Sequence, residues 1–292
     1  MEHKAGYVNI IGNPNVGKST LMNALIGEKL SIISPKVQTT RHRILGIFND
    51  DGYQIVFSDT PGIIEAHYKL QESMMAFIDI ALQDADIFIY MVESGEKNIQ
   101  TAIIKRIEKT KKPLILAINK IDLSQQEKVM EEILHWEKTC PQAVIVPISA
   151  LNNFNVDKLK ELILDKLPES PPYFPKDEIS DKPMRFFVSE IIREKILFQF
   201  EKEIPYSVEV VVEEYKEEDS IIRIRCNIFV LRESQKAILL GKNGAAIKRL
   251  GTAARKDIEA FVEKKVFLET TVKVNKDWRN NEQELKNFGY ID

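Results

Sequence analysis

At 292 residues the chain is too long for one small domain and suits a unit of about 150 to 180 residues plus a smaller one, while a formal net charge of −3 gives no overall case for nucleic acid. Its two cysteines, Cys140 and Cys226, form no C-x-x-C pair, and its four histidines show no ligand spacing near them, so structural zinc is excluded and a reduced intracellular setting is expected. No apolar stretch approaches the roughly 20 residues of a membrane-spanning helix, and Met1–Gly6 lacks a signal-peptide apolar core. The expectation is a soluble, cytosolic protein.

The first element is the apolar run Tyr7–Ile11, read as a buried strand. It leads into Gly12, Asn13, Pro14, Asn15, Val16, Gly17, Lys18 and Ser19, which fits the phosphate-loop pattern G-x-x-x-x-G-K-[ST] with Thr20 following. Two glycines let backbone N–H groups turn inward around a polyphosphate. Lys18 reaches the β- and γ-phosphates, and the Ser19 hydroxyl ligates Mg²⁺. A helix starting near Lys18 adds its N-terminal dipole.

Further β-type runs follow at Ile44–Asn49, Tyr53–Ser58, Asp86–Val92, Pro113–Asn119 and Ala143–Ile148, with helical patterns at Gln71–Leu82, Ile99–Thr110, Gln126–Glu137 and Val156–Leu167. Strands alternating with helices predict an α/β unit with a mostly parallel sheet and helices on both faces. The run Pro168–Pro175 breaks the pattern as a proline-rich, semi-rigid linker. The expected division is a nucleotide domain over 1–169, a linker over 170–181 and a second domain over 182–292.

Two further motifs sit at predicted strand ends, where ligands bind in open α/β sheets. Asp59, Thr60, Pro61 and Gly62 place a carboxylate where it can support a Mg²⁺ shell and a glycine N–H where it can sense a γ-phosphate. Asn119, Lys120, Ile121 and Asp122 place a carboxylate that accepts two hydrogen bonds from guanine N1–H and the 2-amino group, with Asn119 and Lys120 bracing the loop. Adenine lacks that donor pair and would leave a buried carboxylate unpaired. Ser149, Ala150 and Leu151 follow the last strand and offer a backbone N–H to the guanine oxygen. Singly each motif fits a solvated turn; in this order and at these strand ends they specify a guanine nucleotide, GTP or GDP. Between the first two lies Lys36–Ile44, an exposed β-rich loop on its own pattern. Its threonine pair suits a mobile switch, with Thr40 preferred to Thr39 as the hydroxyl that completes the Mg²⁺ shell when a γ-phosphate is present.

These five elements, including the Gln38-Thr-Thr-Arg-His-Arg43 stretch, resemble the Era family of bacterial GTPases. Ras-like switches carry a water-orienting glutamine directly after D-x-x-G; here Ile63 stands there, which matches the branch with a hydrophobic residue at that point. The resemblance implies slow, Mg²⁺-dependent hydrolysis of GTP, with Lys18, Asn15 and Thr40 in the catalytic set and Ser19, Thr40 and Asp59 around the metal. It also makes Asn15 a candidate ligand for a K⁺ ion in place of an arginine finger; a loop residue that hydrogen-bonds the switch is the alternative. Asn13 and Val37 depart from the family, which commonly has arginine and proline there.

The C-terminal part reads as a helix (Met184–Glu201), strands (Tyr206–Tyr215 and Ser220–Val230), a short helix (Gln235–Leu240), Gly241-Lys242-Asn243-Gly244, a long helix to about Val262 and a strand (Val266–Val274). This α-β-β-α-α-β order with a G-x-x-G between helices resembles a type II KH domain, an α+β module whose glycine loop clamps single-stranded RNA backbone. Lys248, Arg249, Arg255 and Lys256 project from the long helix away from an apolar face of Ile247, Leu250, Ala254, Ile258 and Phe261. The expected RNA contacts are Gly241, Lys242, Asn243, Gly244, Lys248, Arg249, Arg255 and Trp278. For Trp278 a base-stacking surface and a packed domain-end aromatic both stay open.

By resemblance, the chain is expected to bind small-subunit 16S ribosomal RNA near its 3′ end, to assist assembly of the 30S subunit, to associate peripherally with the inner membrane and to act as a monomer. Two other readings compete. One is an RNA-binding scaffold in which nucleotide is structural. The other is a membrane-linked cell-cycle switch that uses Arg185, Phe186, Phe187 and Arg193 as its membrane face.

Overall fold

A computed structural model describes residues 3–97 and 99–291. The chain divides into two compact units, Met1–His67 with Gln71–Asp181, and Lys182–Asp292 with Tyr68–Leu70.

The first unit carries β1 (Lys4–Gly12), α1 (Lys18–Ile26), β2 (Ile44–Asn49), β3 (Tyr53–Asp59), α2 (Lys69–Asp84), β4 (Ile87–Glu93), α3 (Thr101–Thr110), β5 (Leu114–Asn119), α4 (Gln126–Thr139), β6 (Ala143–Pro147) and α5 (Val156–Lys166). Its six strands run in the order β2-β3-β1-β4-β5-β6. All neighbours are parallel except β2 and β3, which pair antiparallel with Ile44 opposite Asp59 and Leu45 opposite Ser58. Central strands β4 and β5 are buried along nearly their whole length, because helices cover both faces of a parallel sheet. Phosphate-loop, D-x-x-G and N-K-x-D residues lie at the C-terminal ends of β1, β3 and β5, so one parallel sheet delivers all three to the same edge.

The proline-rich segment is no free tether. Gln54 accepts from the Tyr173 and Phe174 amides at 2.7 and 3.0 Å and donates to the Phe174 carbonyl at 2.8 Å. Farther along, the Ile47 amide donates to the Ile179 carbonyl at 2.9 Å, Ser180 donates to the Leu45 carbonyl at 2.6 Å, and the Leu45 amide donates to Asp181 at 3.0 Å. The segment thereby covers the outer edge of β2, where a two-stranded pairing would leave open donors and acceptors.

The second unit carries α6 (Met184–Gln199), α7 (Ile204–Ser207), β7 (Glu209–Glu217), β8 (Ile222–Val230), α8 (Glu233–Leu240), α9 (Ala245–Val262), β9 (Val266–Val274) and α10 (Glu282–Asn287). Its sheet runs β7-β8-β9, antiparallel then parallel, around a core that includes Val188, Ile192, Ile224, Ile228, Leu250, Ala254 and Ile258. Two features depart from the sequence pattern. Residues 204–207 form a helical turn where the pattern places a strand from Tyr206, because Pro205 near the helix start presets its φ and removes a ladder donor. Helix α8 starts at Glu233 instead of Gln235, since the buried Gln235 side chain reaches back to accept from the Leu231 and Arg232 amides at 3.0 and 3.1 Å.

Candidate functional site

The phosphate loop is shaped by two close approaches. Gly17 has φ 100°, and a Cβ there would collide with the Asn119 amide nitrogen; a Cβ on Gly12 would collide with the Met91 carbonyl. Lys18, 6 % exposed, folds back to donate to the Gly12 and Asn13 carbonyls at 3.1 and 2.8 Å. Burial pushes its ammonium down to about 8, against the pull of the Asp59 and Glu96 charges. Asn13 and Glu96 are joined through their side chains, and Gln100 donates to Asn13 at 3.3 Å, so the loop after β4 braces the phosphate loop.

Ser19, Thr40 and Asp59 converge although 21 and 19 residues separate the successive members. Ser19 Oγ lies 2.7 Å from Asp59 Oδ2 and 2.9 Å from Thr40 Oγ1, and Thr40 donates to the same carboxylate oxygen at 3.4 Å. Asp59 is fully buried and its Oδ1 has no aligned hydrogen-bond partner. Burial pushes its carboxyl above the usual range, opposed by the Ser19 hydrogen bond and the Lys18 charge. Two hydroxyls facing a dehydrated carboxylate with a spare oxygen form an oxygen-only donor set, which fits Mg²⁺. Thr39 is differently engaged, donating to the Lys36 carbonyl at 2.5 Å.

Asn119 is the tie of the base-binding end. Its amide donates to the Val16 carbonyl at 2.8 Å and accepts from the Ala150 amide at 2.9 Å, joining the phosphate loop to the loop after β6. Ser149 Oγ donates to Asp122 Oδ1 at 2.5 Å, and Lys120 pairs with Glu93 at 2.7 Å. Asp122 is exposed, not buried as its selectivity for guanine would require in the free cleft, and Leu151 is 75 % exposed. Asp122 stands at an open rim, so the penalty against adenine arises only when a base covers it. Pro14, Asn15, Thr20, Ser34 and Thr40 help line a cleft of about 470 Å³ that runs from Lys18 to Lys120.

Four other residues take positions the motifs alone do not reveal. Thr60 is fully buried and donates to the Ile10 carbonyl at 2.8 Å, while Pro61 is buried beside it, so both hold the D-x-x-G turn and face no cleft. Gly62 packs so closely on Pro14 that a Cβ would sit 2.7 Å from its Cα. Asn15 adopts φ 64° and donates from its amide to the Pro35 carbonyl at 2.8 Å, which is the switch-bonding arrangement.

In the second unit, Gly241 has φ 69° and a Cβ there would press to 2.7 Å from Ala246 Cβ, so the G-x-x-G turn can close against the first turn of α9 only with glycine. Lys242 and Asn243 are exposed at its tip, and Lys248, Arg249 and Lys256 are exposed along α9. The apolar face is narrower than its pattern: Leu250, Ala254 and Ile258 are buried, Ile247 and Phe261 half-buried. Arg255 departs from the ridge, pairing with Glu259 at 3.0 Å one turn on. Trp278 is 0 % exposed, donates to the Ser207 carbonyl at 3.2 Å and packs edge-on to Phe288, so it presents no ring face to a base.

Against known proteins, residues 7–120 match the model of the 50S ribosome-binding GTPase family and residues 203–279 that of the KH domain. GTPase Era of Geotalea uraniireducens is 45 % identical over 99 % of this chain and 98 % of its own length. GTPase Era of Staphylococcus haemolyticus is also 45 % identical, over 100 % of this chain and 98 % of its own. The chain belongs to the Era GTPase family. A solved Era in complex with MgGDPNP and nucleotides 1506–1542 of 16S ribosomal RNA superposes with a TM-score of 0.95 at 41 % identity, covering 99 % of this chain and 100 % of that one. An Aquifex aeolicus Era variant bound to GDP and AlF4⁻ gives the same values.

Within the Era frame, Ile63 packs against the core that includes Ile11 and Ile78, and its amide donates to the Gly12 carbonyl at 3.2 Å. The Ile63 side chain itself carries no polar group to orient a water. The alternative membrane face is only half at the surface: Phe187 is 6 % exposed against Phe261 and Arg193 is 1 % exposed and paired with Glu190, whereas Arg185 is exposed and Phe186 half-buried. Sequence reasoning gives no role to Asn9, whose lone amide inside an apolar strand is the available signal; buried, it donates to the Ala81 carbonyl at 2.5 Å and to Asp84 at 2.7 Å.

Proposed function

We propose that this Era-family GTPase is a slow nucleotide switch that binds small-subunit ribosomal RNA near its 3′ end and assists 30S assembly. The observation that carries the reading is the pairing, in one chain, of a cleft that runs from Lys18 to Lys120 past the Ser19, Thr40 and Asp59 oxygens with an exposed, basic G-x-x-G surface, in a sequence 41 % identical to an Era solved with MgGDPNP and 16S RNA.

Lys18 would hold the β- and γ-phosphates once released from the Gly12 and Asn13 carbonyls, and Ser19, Thr40 and Asp59 would hold Mg²⁺. When bound, Mg²⁺ supplies charge neutralisation on the phosphate oxygens. Asp122 and the loop fixed by Asn119 would read guanine. Because Ile63 offers no donor or acceptor from its side chain, positioning of the attacking water falls to switch backbone, and intrinsic turnover is slow. Asn15 would reach a K⁺ ion through its amide oxygen after exchanging its hydrogen bond to Pro35; K⁺ stimulation of turnover, lost in Asn15→Ala, tests that role.

On the RNA side, Lys242, Lys248, Arg249 and Lys256 would meet phosphates while the glycine turn lets backbone come close. Peripheral membrane association belongs to the same proposal, at a surface other than the buried Phe187 and Arg193. Failure of the protein to bind anionic vesicles would remove it. The decisive experiment is fluorescence anisotropy of labelled RNA copying the 3′ end of 16S ribosomal RNA, titrated with protein loaded with a GTP analogue or GDP. Tight binding in the GTP form that weakens with GDP and with Lys242→Ala supports a nucleotide-gated assembly factor. Absent or nucleotide-blind binding moves the target of the switch elsewhere.

A further inference from the structure

The last residue of the Gln38–Arg43 stretch has no part in the cleft, yet it is one of the most fully engaged side chains in the molecule. Arg43 is 9 % exposed and lies just beyond the end of the β2–β3 ladder. Its Nε donates to Ser58 Oγ at 2.7 Å, and its two terminal nitrogens fork onto the Asp84 carboxylate at 2.6 and 3.0 Å. One of them also reaches Asn9 Oδ1 at 3.4 Å. Asn9 in turn donates to Asp84 and to the Ala81 carbonyl, so the network closes on itself. Ser58 and Asn9 are both fully buried.

This network joins four elements of the first unit: the end of the switch segment, β3 one residue before Asp59, β1, and the C-terminal turn of α2. Thr40 stands three positions before Arg43 in the chain. Thr40 can meet Ser19 and Asp59 only if the chain leaving it is held, and the short path to β2 is held at Arg43. A bidentate guanidinium fixes both position and orientation, which a lysine point charge does not.

We propose that Arg43 is a positioning residue for GTP hydrolysis: pinned by Asp84, Ser58 and Asn9, it sets the end of the switch from which Thr40 reaches the metal. The proposal rests on the reading of Thr40 as a metal ligand. A switch threonine ligates the metal only when a γ-phosphate is present, so the loss of Arg43 should show in the GTP-bound form and leave the GDP-bound form nearly unchanged. A mere contribution to folding would weaken both.

The test measures, on the full chain, affinity for Mg·GDP and for a Mg·GTP analogue, and turnover against Mg²⁺ concentration, in Arg43→Gln, Arg43→Lys, Thr40→Ala and the Thr40→Ala/Arg43→Gln double variant. Loss of a charge-assisted fork predicts that Arg43→Gln weakens the GTP analogue about tenfold or more and raises the Mg²⁺ requirement, with GDP affinity within about twofold. Arg43→Lys does not restore it, and the double variant is no worse than Thr40→Ala, because Arg43 acts through Thr40. Ser58→Ala removes one bond from the guanidinium to a neutral hydroxyl, leaves the fork onto Asp84, and shows the same GTP-selective loss at smaller size, which keeps the test open if Arg43→Gln does not fold. Equal weakening of both nucleotides, rescue by lysine, or multiplying losses in the double variant overturns the proposal. Thr40→Ala with normal Mg²⁺ dependence overturns the metal-ligand reading separately.

Discussion

The two functional surfaces of this chain are built on opposite principles. The nucleotide cleft assembles buried and half-buried polar groups from distant positions, most of them already bonded: Ser19 with Asp59, Asn119 with Val16 and Ala150, Lys18 with two carbonyls. The G-x-x-G surface is contiguous in sequence, exposed and held by backbone shape, with charges that point to solvent. A ligand must replace hydrogen bonds in the first and merely add them in the second. Substitutions in the cleft should therefore be severe and specific, whereas those on the ridge should be mild, cumulative and salt-dependent.

The largest expected effect is Lys18→Ala, which removes the one buried cation of the phosphate loop and should reduce turnover about 100- to 1,000-fold by loss of charge stabilisation; steady-state kinetics measures it. Asp122→Asn should weaken guanine nucleotide about 10- to 100-fold and relax the preference against adenine, checked by competitive displacement of a fluorescent GDP. Either variant behaving like a ridge substitution would break the contrast.

Proton linkage sharpens it. Lys18 titrates near 8 without nucleotide, and phosphates restore its charge, so binding takes up a proton above that pH. Affinity for Mg·GDP should thus fall as pH rises through about 8, by at most about tenfold per unit, when followed by calorimetry in buffers of different ionisation enthalpy. A pH-flat affinity would mean that Lys18 remains charged in the free cleft.

Smaller effects belong to the second unit. Lys242→Ala and Lys248→Ala should each weaken RNA binding a few-fold, roughly uniformly across sequences, and flatten the log–log salt dependence by about 0.7 for each RNA phosphate no longer neutralised. Arg255→Ala should do less than Lys248→Ala, because Arg255 is already paired with Glu259. The smallest change in RNA binding, none, is expected for Trp278→Phe, which instead lowers stability by about 1 kcal/mol through the missing bond to the Ser207 carbonyl, read by urea denaturation.

Most of the first unit is legible in sequence because its signals are local. Apolar runs of five or six residues mark the strands, and glycines at Gly12, Gly17 and Gly62 stand where backbone or side chains leave no room for a Cβ. The turn over 204–207 reads as strand because Tyr206 and its neighbours carry strand-like side chains while Pro205 decides the backbone. Trp278 is ambiguous in sequence because an aromatic at a domain end has the same signature whether it is packed or presented.

Periodicity in the sequence set the order of the main strands and helices, though not the helices at Ile204–Ser207 and Glu282–Asn287, and with it the strand-end placement of the three nucleotide motifs and the glycine turn of the second unit, which rest on backbone conformations that few residues tolerate. Tertiary structure alone decided the rest. It paired Arg255 within its own helix, buried Thr60 and Trp278, laid residues 173–181 along the edge of β2, and closed Arg43, Ser58, Asn9 and Asp84 into one network. Partners in that network lie up to 75 residues apart, and no local propensity records such a separation. Which polar groups find each other depends on how helices and strands pack, because a buried donor or acceptor must be satisfied by whatever the fold brings within reach.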